Sequence, residues 1–185
     1  MKQIRIQKTI LCDIDDTIAN LVECWLDIYN CDYNDSLTPD KITNWDIGSF
    51  TKIGNRFYEY LKDPNLYYGI EPIPGALKSI EYLKSKGYRI VYVTAYDVTN
   101  IKLDWLIEHG FTNTKMDYIV AHDKSLIKGD IIIDDSYDNI KKYYETNHKP
   151  SILYKQKWNE KFNWETRAMN WDEVLYWIEK FEVKN

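Results

Sequence analysis

Three carboxylates within four residues, Asp13-Ile14-Asp15-Asp16, close the apolar run Thr9-Ile10-Leu11-Cys12 and are followed by Thr17. Like charges packed this closely repel. A bound cation, or a reaction that needs both an acid and a base, relieves that cost. Residues i and i+2 of an extended segment project to the same side, so Asp13 and Asp15 can flank one reacting group. The pattern predicts Asp13 as a nucleophile and Asp15 as its acid/base partner. A carboxylate can attack phosphorus and form an aspartyl-phosphate. A second carboxyl can protonate the leaving alcohol and then deprotonate the water that hydrolyses the intermediate. Carboxylate and phosphate repel each other, so such a site needs a hard cation. Mg²⁺ takes oxygen ligands and typically binds through one or two carboxylates plus phosphate.

Further chemistry-bearing residues stand at the ends of other apolar runs. Thr94 closes Arg89–Thr94, Lys124 precedes the triple-isoleucine run, and Asp134-Asp135-Ser136 ends that run. A Thr94 hydroxyl can donate to a phosphate oxygen, and Lys124 can neutralise charge that builds up during phosphoryl transfer. Lys128 competes with Lys124 for that role. One of Asp134 and Asp135 completes the cation site with Asp13, and the other supports it; residue chemistry leaves their order open. Asp16 reads as a helix cap or loop support, and Thr17 as a loop-fixing hydroxyl or a neighbour of the phosphate.

These residues have to be carried to one place. Residues 4–13 read as a strand, apolar on both faces in its last part as in a buried parallel strand. Leu21, Val22, Trp25, Ile28 and Tyr29 follow helical spacing over 20–30. Residues 31–72 lose any alternation of strand and helix and hold many aromatics, so 18–72 reads as a small, mostly helical insertion. After Pro72-Ile73-Pro74-Gly75 the rhythm resumes. A helix over 76–86 stops at Gly87, and a strand over 89–94 follows. The next helix, capped by Asp97 or Thr99, runs to about His109 and stops at Gly110. Strands over 118–121, 130–134 and 151–154, a helix over 137–146 and a closing helix over 171–181 complete the chain. The expected fold is α/β, a Rossmann-like parallel sheet flanked by helices with a small helical cap inserted after the first strand. The core is 1–17 and 73–185, and the cap is 18–72. In such sheets ligands sit outside the carboxyl ends of the strands, where the candidate residues fall.

Composition narrows the classes. A chain of 185 residues is one domain with room for an insertion and buries about 70% of its unfolded surface. A net charge of −5 argues against a polynucleotide-binding face but leaves room for a local phosphate pocket. Cys12, Cys24 and Cys31 have no C-x-x-C spacing and read as free thiols in a reducing compartment. The first residues enter a charged alternating segment rather than a signal peptide, and no apolar run approaches the roughly 18 residues of a membrane span. A cytoplasmic enzyme without membrane partners is expected. His109, His122 and His148 show no ligand spacing. Trp158, Trp164 and Trp171 read as packing of the C-terminal segment. The 16 tyrosines and 7 tryptophans could also support a homodimer.

In order and spacing, Asp13-x-Asp15-x-Thr17, Thr94, Lys124 and Asp134-Asp135 resemble the four motifs of the haloacid dehalogenase superfamily of phosphatases. A narrower resemblance is to its 5'(3')-deoxyribonucleotidases. It is carried by Asp13–Thr17, Glu71-Pro72-Ile73-Pro74-Gly75-Ala76, His122-Asp123-Lys124 and Gly129–Asp135. The resemblance implies that Asp13 is the nucleophile and Asp15 the acid/base, and that Thr94 and Lys124 hold phosphate. It also implies Mg²⁺ held by Asp13, the backbone carbonyl of Asp15, and Asp135. Two departures are the short cap and Ala95, where a Ser would offer a second donor to phosphate. The implied substrate is a (deoxy)nucleoside monophosphate. A nucleobase stacks well on aromatic rings, and Trp45 and Phe50 of the insertion are candidates, against their simpler use as the cap's own core. Alternatives are the same chemistry on a sugar phosphate or on a polynucleotide terminal phosphate, and a nucleotide-binding protein without turnover.

Overall fold

The computed structural model describes residues 7–63, 65–97 and 100–183. Its strands are β1 (Thr9–Cys12), β2 (Arg89–Thr94), β3 (Tyr118–Val120), β4 (Ile131–Asp134), β5 (Ser151–Tyr154) and β6 (Arg167–Ala168). Its helices are α1 (Leu21–Tyr33), α2 (Asn65–Tyr68), α3 (Ala76–Ser85), α4 (Ile101–Glu108), α5 (Tyr137–Asn147) and α6 (Trp171–Val183).

The strands form one sheet in the order β3-β2-β1-β4-β5-β6, and every pairing is parallel. The chain builds outward from β1 to β3 and then returns to the other side of β1 for β4. The switch point therefore lies between β1 and β4, where a crevice opens at the carboxyl ends of the strands. Alternation along the strands sorts the core into two faces. Ile10, Cys12, Ile90, Tyr92, Ile131 and Ile133 belong to a cluster that also takes Trp105, Trp171 and Ile178 from α4 and α6. Leu11, Val91, Val93, Ile132 and Leu153 belong to a second cluster with Ile140 and Tyr143 of α5. Both faces of the central strands are thus covered, which explains their unbroken apolar runs.

Residues 18–72 leave and rejoin the sheet side by side. Asn20 N donates to Glu71 O at 3.0 Å and Ile73 N to Ile18 O at 2.7 Å. Between these points lie α1, α2 and three 3₁₀ stretches, Pro39–Lys41, Ile47–Phe50 and Gly54–Lys62. Trp25 of α1 stacks on Phe57 with ring centroids 4.2 Å apart, and Tyr29 meets the edge of the same ring. The segment's apolar residues are continuous with the first core cluster.

Most elements fall where the sequence pattern puts them. Gly87 and Gly110 take positive φ, 93° and 77°, just beyond α3 and α4. There Tyr88 N and Phe111 N return to the carbonyls of Leu83 and Leu106, the left-handed cap that glycine permits without Cβ strain. Two features differ from expectation. β6 is an added edge strand, and at two residues it is too short to show an alternation. Asn100, at φ 58°, stands before α4 without a side-chain cap bond, while Asp97 accepts from the Tyr118 hydroxyl. The other cap candidate, Thr99, lies outside the described residues, as do residues 4–6 of the expected first strand.

Candidate active site

Asp13 continues β1 by one residue, and its N–H donates to Ile133 O at 2.9 Å. This extension of the ladder puts the first acid beside the acids that end β4. Oxygens of Asp13, Asp134 and Asp135 lie within 4.8 Å of one another, and all three residues are buried. The Lys124 ammonium, itself 3% exposed, bridges Asp13 Oδ1 and Asp134 Oδ2, the latter at 2.7 Å. Lys128 is exposed and does not line the cavity.

Charge is unbalanced here. Three buried carboxylates face one ammonium, leaving two negative charges if all are ionised. Burial pushes the Asp13 carboxyl up to about 7, with Lys124 opposing and Asp134 and Asp15 adding to the shift. Asp135 is also raised well above its ordinary value, by burial and then by Asp13 and Asp134. Burial works against the charged form of Lys124, but Asp13 and Asp134 outweigh it and hold its pKa above the usual value.

Asp134, the last residue of β4, and Asp135, just beyond it, differ in how far their oxygens are used. Asp134 accepts from Lys124, from Ser136 N at 2.8 Å and from Asn139 Nδ2 at 3.1 Å. Asp135 Oδ2 accepts from Trp158 Nε1 at 2.8 Å, and its Oδ1 has no hydrogen-bond partner among the described residues. Asp134 is therefore committed to its neighbours, and Asp135 keeps an oxygen for a ligand.

The loop after Asp13 is fixed from several directions. Asp16, in the left-handed region at φ 53°, accepts at Oδ1 from Val22 N in the first turn of α1 at 2.9 Å. Its carbonyl accepts from Gln156 Nε2 at 2.6 Å, and Thr17 O accepts from Trp171 Nε1 at 3.0 Å. Asp16 thus anchors a helix terminus and turns the loop. Thr17 Oγ1 reaches Asp13 Oδ2 at 3.5 Å.

Asp15 is held apart from this cluster. Tyr67 Oη donates to its Oδ1 at 2.6 Å and Lys102 Nζ to its Oδ2. The same ammonium donates to Thr94 Oγ1 at 2.9 Å. Burial and the charge of Asp15 push the Tyr67 phenol well up, so it stays a donor.

The acids Asp13, Asp15, Asp134 and Asp135, with Thr94, Lys102 and Lys124, line one cavity of about 420 Å³, within the range of about 300–1,000 Å³ typical of small-molecule sites; Thr17 does not line it. Its polar end holds Asp13, Asp15, Thr94, Lys124 and Asp135. Residues 18–72 supply part of its other walls, among them Trp25, Trp45, Tyr58 and Tyr67, and Tyr96, Ile101 and Trp158 line it from the rest of the chain. Trp45 is 61% exposed and meets Trp158 edge-on at 6.3 Å. Phe50 is partly buried against the core and does not line the cavity. Trp25 Nε1 is buried without a partner among the described residues. Lys102, Tyr67, Asn139 and Trp158 are absent from the residues singled out by sequence as site groups. Trp158, read there as packing, binds an acid of the site; Trp164 and Trp171 donate to backbone carbonyls.

The family described as "5' nucleotidase, deoxy (Pyrimidine), cytosolic type C protein" has a model that matches residues 7–183. The chain belongs to this family. Membership makes it a phosphoric monoester hydrolase of the nucleotidase type within the haloacid dehalogenase superfamily. A relative named 5'(3')-deoxyribonucleotidase from Bacillus subtilis is 30% identical over 173 residues, 91% of this chain and 96% of the relative. A second of that name, from Clostridium acetobutylicum, is 34% identical over 103 residues, so the chain spans 57% of its length. Among solved structures, a haloacid dehalogenase-like hydrolase from Streptococcus pneumoniae aligns with a TM-score of 0.63 at 18% identity. The alignment covers 93% of this chain and 98% of that one. A haloacid dehalogenase hydrolase from Bacillus subtilis, solved bound to magnesium, aligns at 0.61 and 16% identity, over 94% and 99%. At these identities the structures speak for the fold of the family, which the parallel sheet shares. No helix among the described residues is long and apolar enough to cross a membrane.

Proposed function

We propose that the protein is a Mg²⁺-dependent phosphatase of nucleoside monophosphates, with deoxyribonucleotides preferred, working through an aspartyl-phosphate on Asp13. The observation that carries this reading is the buried acid cluster with one bridging lysine, at the sheet's switch point and facing an aromatic-walled cavity. The excess of two negative charges, the all-oxygen donor set and the uncommitted oxygen of Asp135 fit a small divalent cation. Asp13, Asp135 and the backbone carbonyl of Asp15 would hold it, with Asp134 in support. When bound, Mg²⁺ supplies the charge that lets a carboxylate and a phosphate approach each other.

The rest is done by the chain's own residues. Asp13 attacks phosphorus, and the bond from phosphorus to the nucleoside oxygen breaks. Asp15 gives that oxygen a proton and later takes one from the water that attacks the aspartyl-phosphate, so that inorganic phosphate leaves and Asp13 is regenerated. Lys124, already on Asp13, offsets charge on the transferring group, and Thr94 donates to a phosphate oxygen. Residues 18–72 act as the cap: they close the cavity, exclude bulk water and face the leaving nucleoside. Trp45, at the cavity rim, is the stacking surface for the base; Phe50 belongs to the packing of the cap.

Phosphate release from 5'- and 3'-mononucleotides, sugar phosphates and 3'-phosphorylated oligonucleotides, with and without Mg²⁺, tests the reading. Mg²⁺-dependent release from deoxynucleoside monophosphates above the other classes is expected. Release only from sugar phosphates or oligonucleotides overturns the substrate assignment. Tight nucleotide binding without any release overturns the enzyme reading.

A further inference from the structure

Asp15 is fixed from outside its own loop. Its neighbours Asp13 and Asp16 are tied to the sheet and to α1. The Asp15 carboxyl instead meets one donor on each oxygen, and each comes from a distant element. Tyr67 Oη, from α2 within residues 18–72, takes Oδ1 at 2.6 Å, and Lys102 Nζ, from the first turn of α4, takes Oδ2. Lys102 is 6% exposed and Tyr67 4%. A lysine ammonium sunk this far into a wall needs a partner. Its partners here are Asp15, Thr94 Oγ1 and the face of the Tyr67 ring, 5.6 Å from ammonium to centroid. The three side chains make a closed set: phenol and ammonium each grip the carboxyl, and the ring covers the ammonium.

We infer that Lys102 and Tyr67 are positioning residues that aim the Asp15 carboxyl at the leaving-group oxygen. The inference rests on the proposed role of Asp15 as acid/base. Two donors on one carboxyl fix both its position and its rotation. A general acid is effective only when it lies within hydrogen-bond reach of the atom it protonates. Because Tyr67 belongs to the inserted segment and Lys102 to the core, the pair also ties the acid/base group to both walls of the cavity.

The test compares two leaving groups. A nucleoside alkoxide needs a proton as it departs, whereas p-nitrophenolate leaves without one. Loss of acid positioning should therefore slow phosphoryl transfer to Asp13 from the first substrate and largely spare that step with the second, while hydrolysis of the aspartyl-phosphate, common to both, slows alike. Wild type, Lys102→Met, Lys102→Arg, Tyr67→Phe and Asp15→Asn are compared by the first-turnover release of nucleoside from a deoxynucleoside 5'-monophosphate and of p-nitrophenol from p-nitrophenyl phosphate, which precedes hydrolysis of the aspartyl-phosphate. Misaimed acid catalysis forfeits part of the about 10²–10⁴-fold that a positioned acid supplies. Lys102→Met should slow first-turnover release of the nucleoside by about 10²-fold and of p-nitrophenol by at least ten times less. Tyr67→Phe keeps the ring and should show the same selectivity at smaller size, and Lys102→Arg should recover part of the loss. KM for the nucleotide and inhibition by inorganic phosphate should move little.

Equal losses on both substrates, or a raised KM with weakened phosphate inhibition, would make Lys102 a phosphate-binding or structural group and overturn the inference. If Asp15→Asn slows first-turnover release of both leaving groups equally, its assignment as the acid falls, and the inference with it. If Asp15→Asn discriminates while Lys102→Met and Tyr67→Phe do not, only the inference falls. Tyr67→Phe removes a single oxygen, so a folded variant remains even if Lys102→Met fails to fold.

Discussion

Replacing Lys124 by Met removes the one positive charge set among three buried acids. The Lys124, Asp13 and Asp134 side chains are 2%, 8% and 1% exposed, so solvent screens their interaction little. Removing one partner of a buried ion pair typically costs about 3–5 kcal/mol, because the remaining charge stays buried and unpaired. For a chain of this size each kcal/mol shifts Tm by about 2–4 °C. Lys124→Met should thus melt roughly 6–20 °C below wild type in metal-free buffer at pH 8. The difference should shrink with Mg²⁺, and also at pH 5, where Asp13 takes up a proton. Activity should fall by about 10²–10³, the usual loss when a preorganised electrostatic group is removed from a transition state. Scanning calorimetry and a phosphate-release assay measure the two effects. Lys128→Met, at an exposed position, is the control and should stay within about 0.5 kcal/mol of wild type. A Lys124→Met protein that melts with wild type, or a Lys128→Met protein that loses as much, would refute the reasoning.

Three other outcomes follow from the same geometry. The folded Asp13 pKa of about 7 lies above its ordinary 3.8, so between those values the folded chain holds a proton that the unfolded chain has released. Metal-free stability should therefore fall as pH rises from about 4 to 7, with Asp135 and Asp16, both pushed up by burial, acting in the same sense, and Mg²⁺ should flatten the slope; melting at stepped pH in chelator and in Mg²⁺ reads this out. Saturating Mg²⁺ at 100 times its Kd should stabilise wild type by about 2.7 kcal/mol. Asp135→Asn should lose most of that gain, which thermal shift against Mg²⁺ concentration measures. Trp45→Ala should raise KM for nucleotides about fivefold or more, in line with about 1 kcal/mol or more per stacked base, while Phe50→Ala, off the cavity, leaves KM alone in the same kinetic assay.

The acids and the hydroxyl at the strand ends were legible because each closes an apolar run, whereas Lys124, in the 3₁₀ turn Lys124–Leu126, was preferred to Lys128 through the family resemblance. A charge at the end of a buried strand has few structural uses. The sheet itself was legible for the same reason, since β1 and β4 are apolar on both faces. Lys102, Tyr67 and Asn139 were not. Each sits in a short or amphipathic helix, where a polar side chain reads as a solvated face, and only the fold reveals that Lys102 is buried against Asp15. Trp158 lay among other aromatics, where packing is the ordinary explanation, and its hydrogen bond to Asp135 depends on a contact across 23 residues. Sequence chemistry left Asp134 and Asp135 unordered. Their hydrogen bonds separate them, because Lys124, Ser136 and Asn139 all converge on Asp134. Phe50 shares the aromatic character of Trp45, and only the fold of residues 18–72 turns one toward the cavity rim and packs the other away from it.

The central claim is that phosphate passes through Asp13. Wild-type enzyme mixed with Mg²⁺ and a deoxynucleoside 5'-monophosphate labelled at phosphorus, quenched in acid within one turnover, tests it directly. The label should stay on the protein, map to the peptide that carries Asp13, be released by hydroxylamine as acyl phosphates are, and be absent from Asp13→Asn. Full turnover with no label on that peptide, or unchanged turnover by Asp13→Asn, would contradict the account.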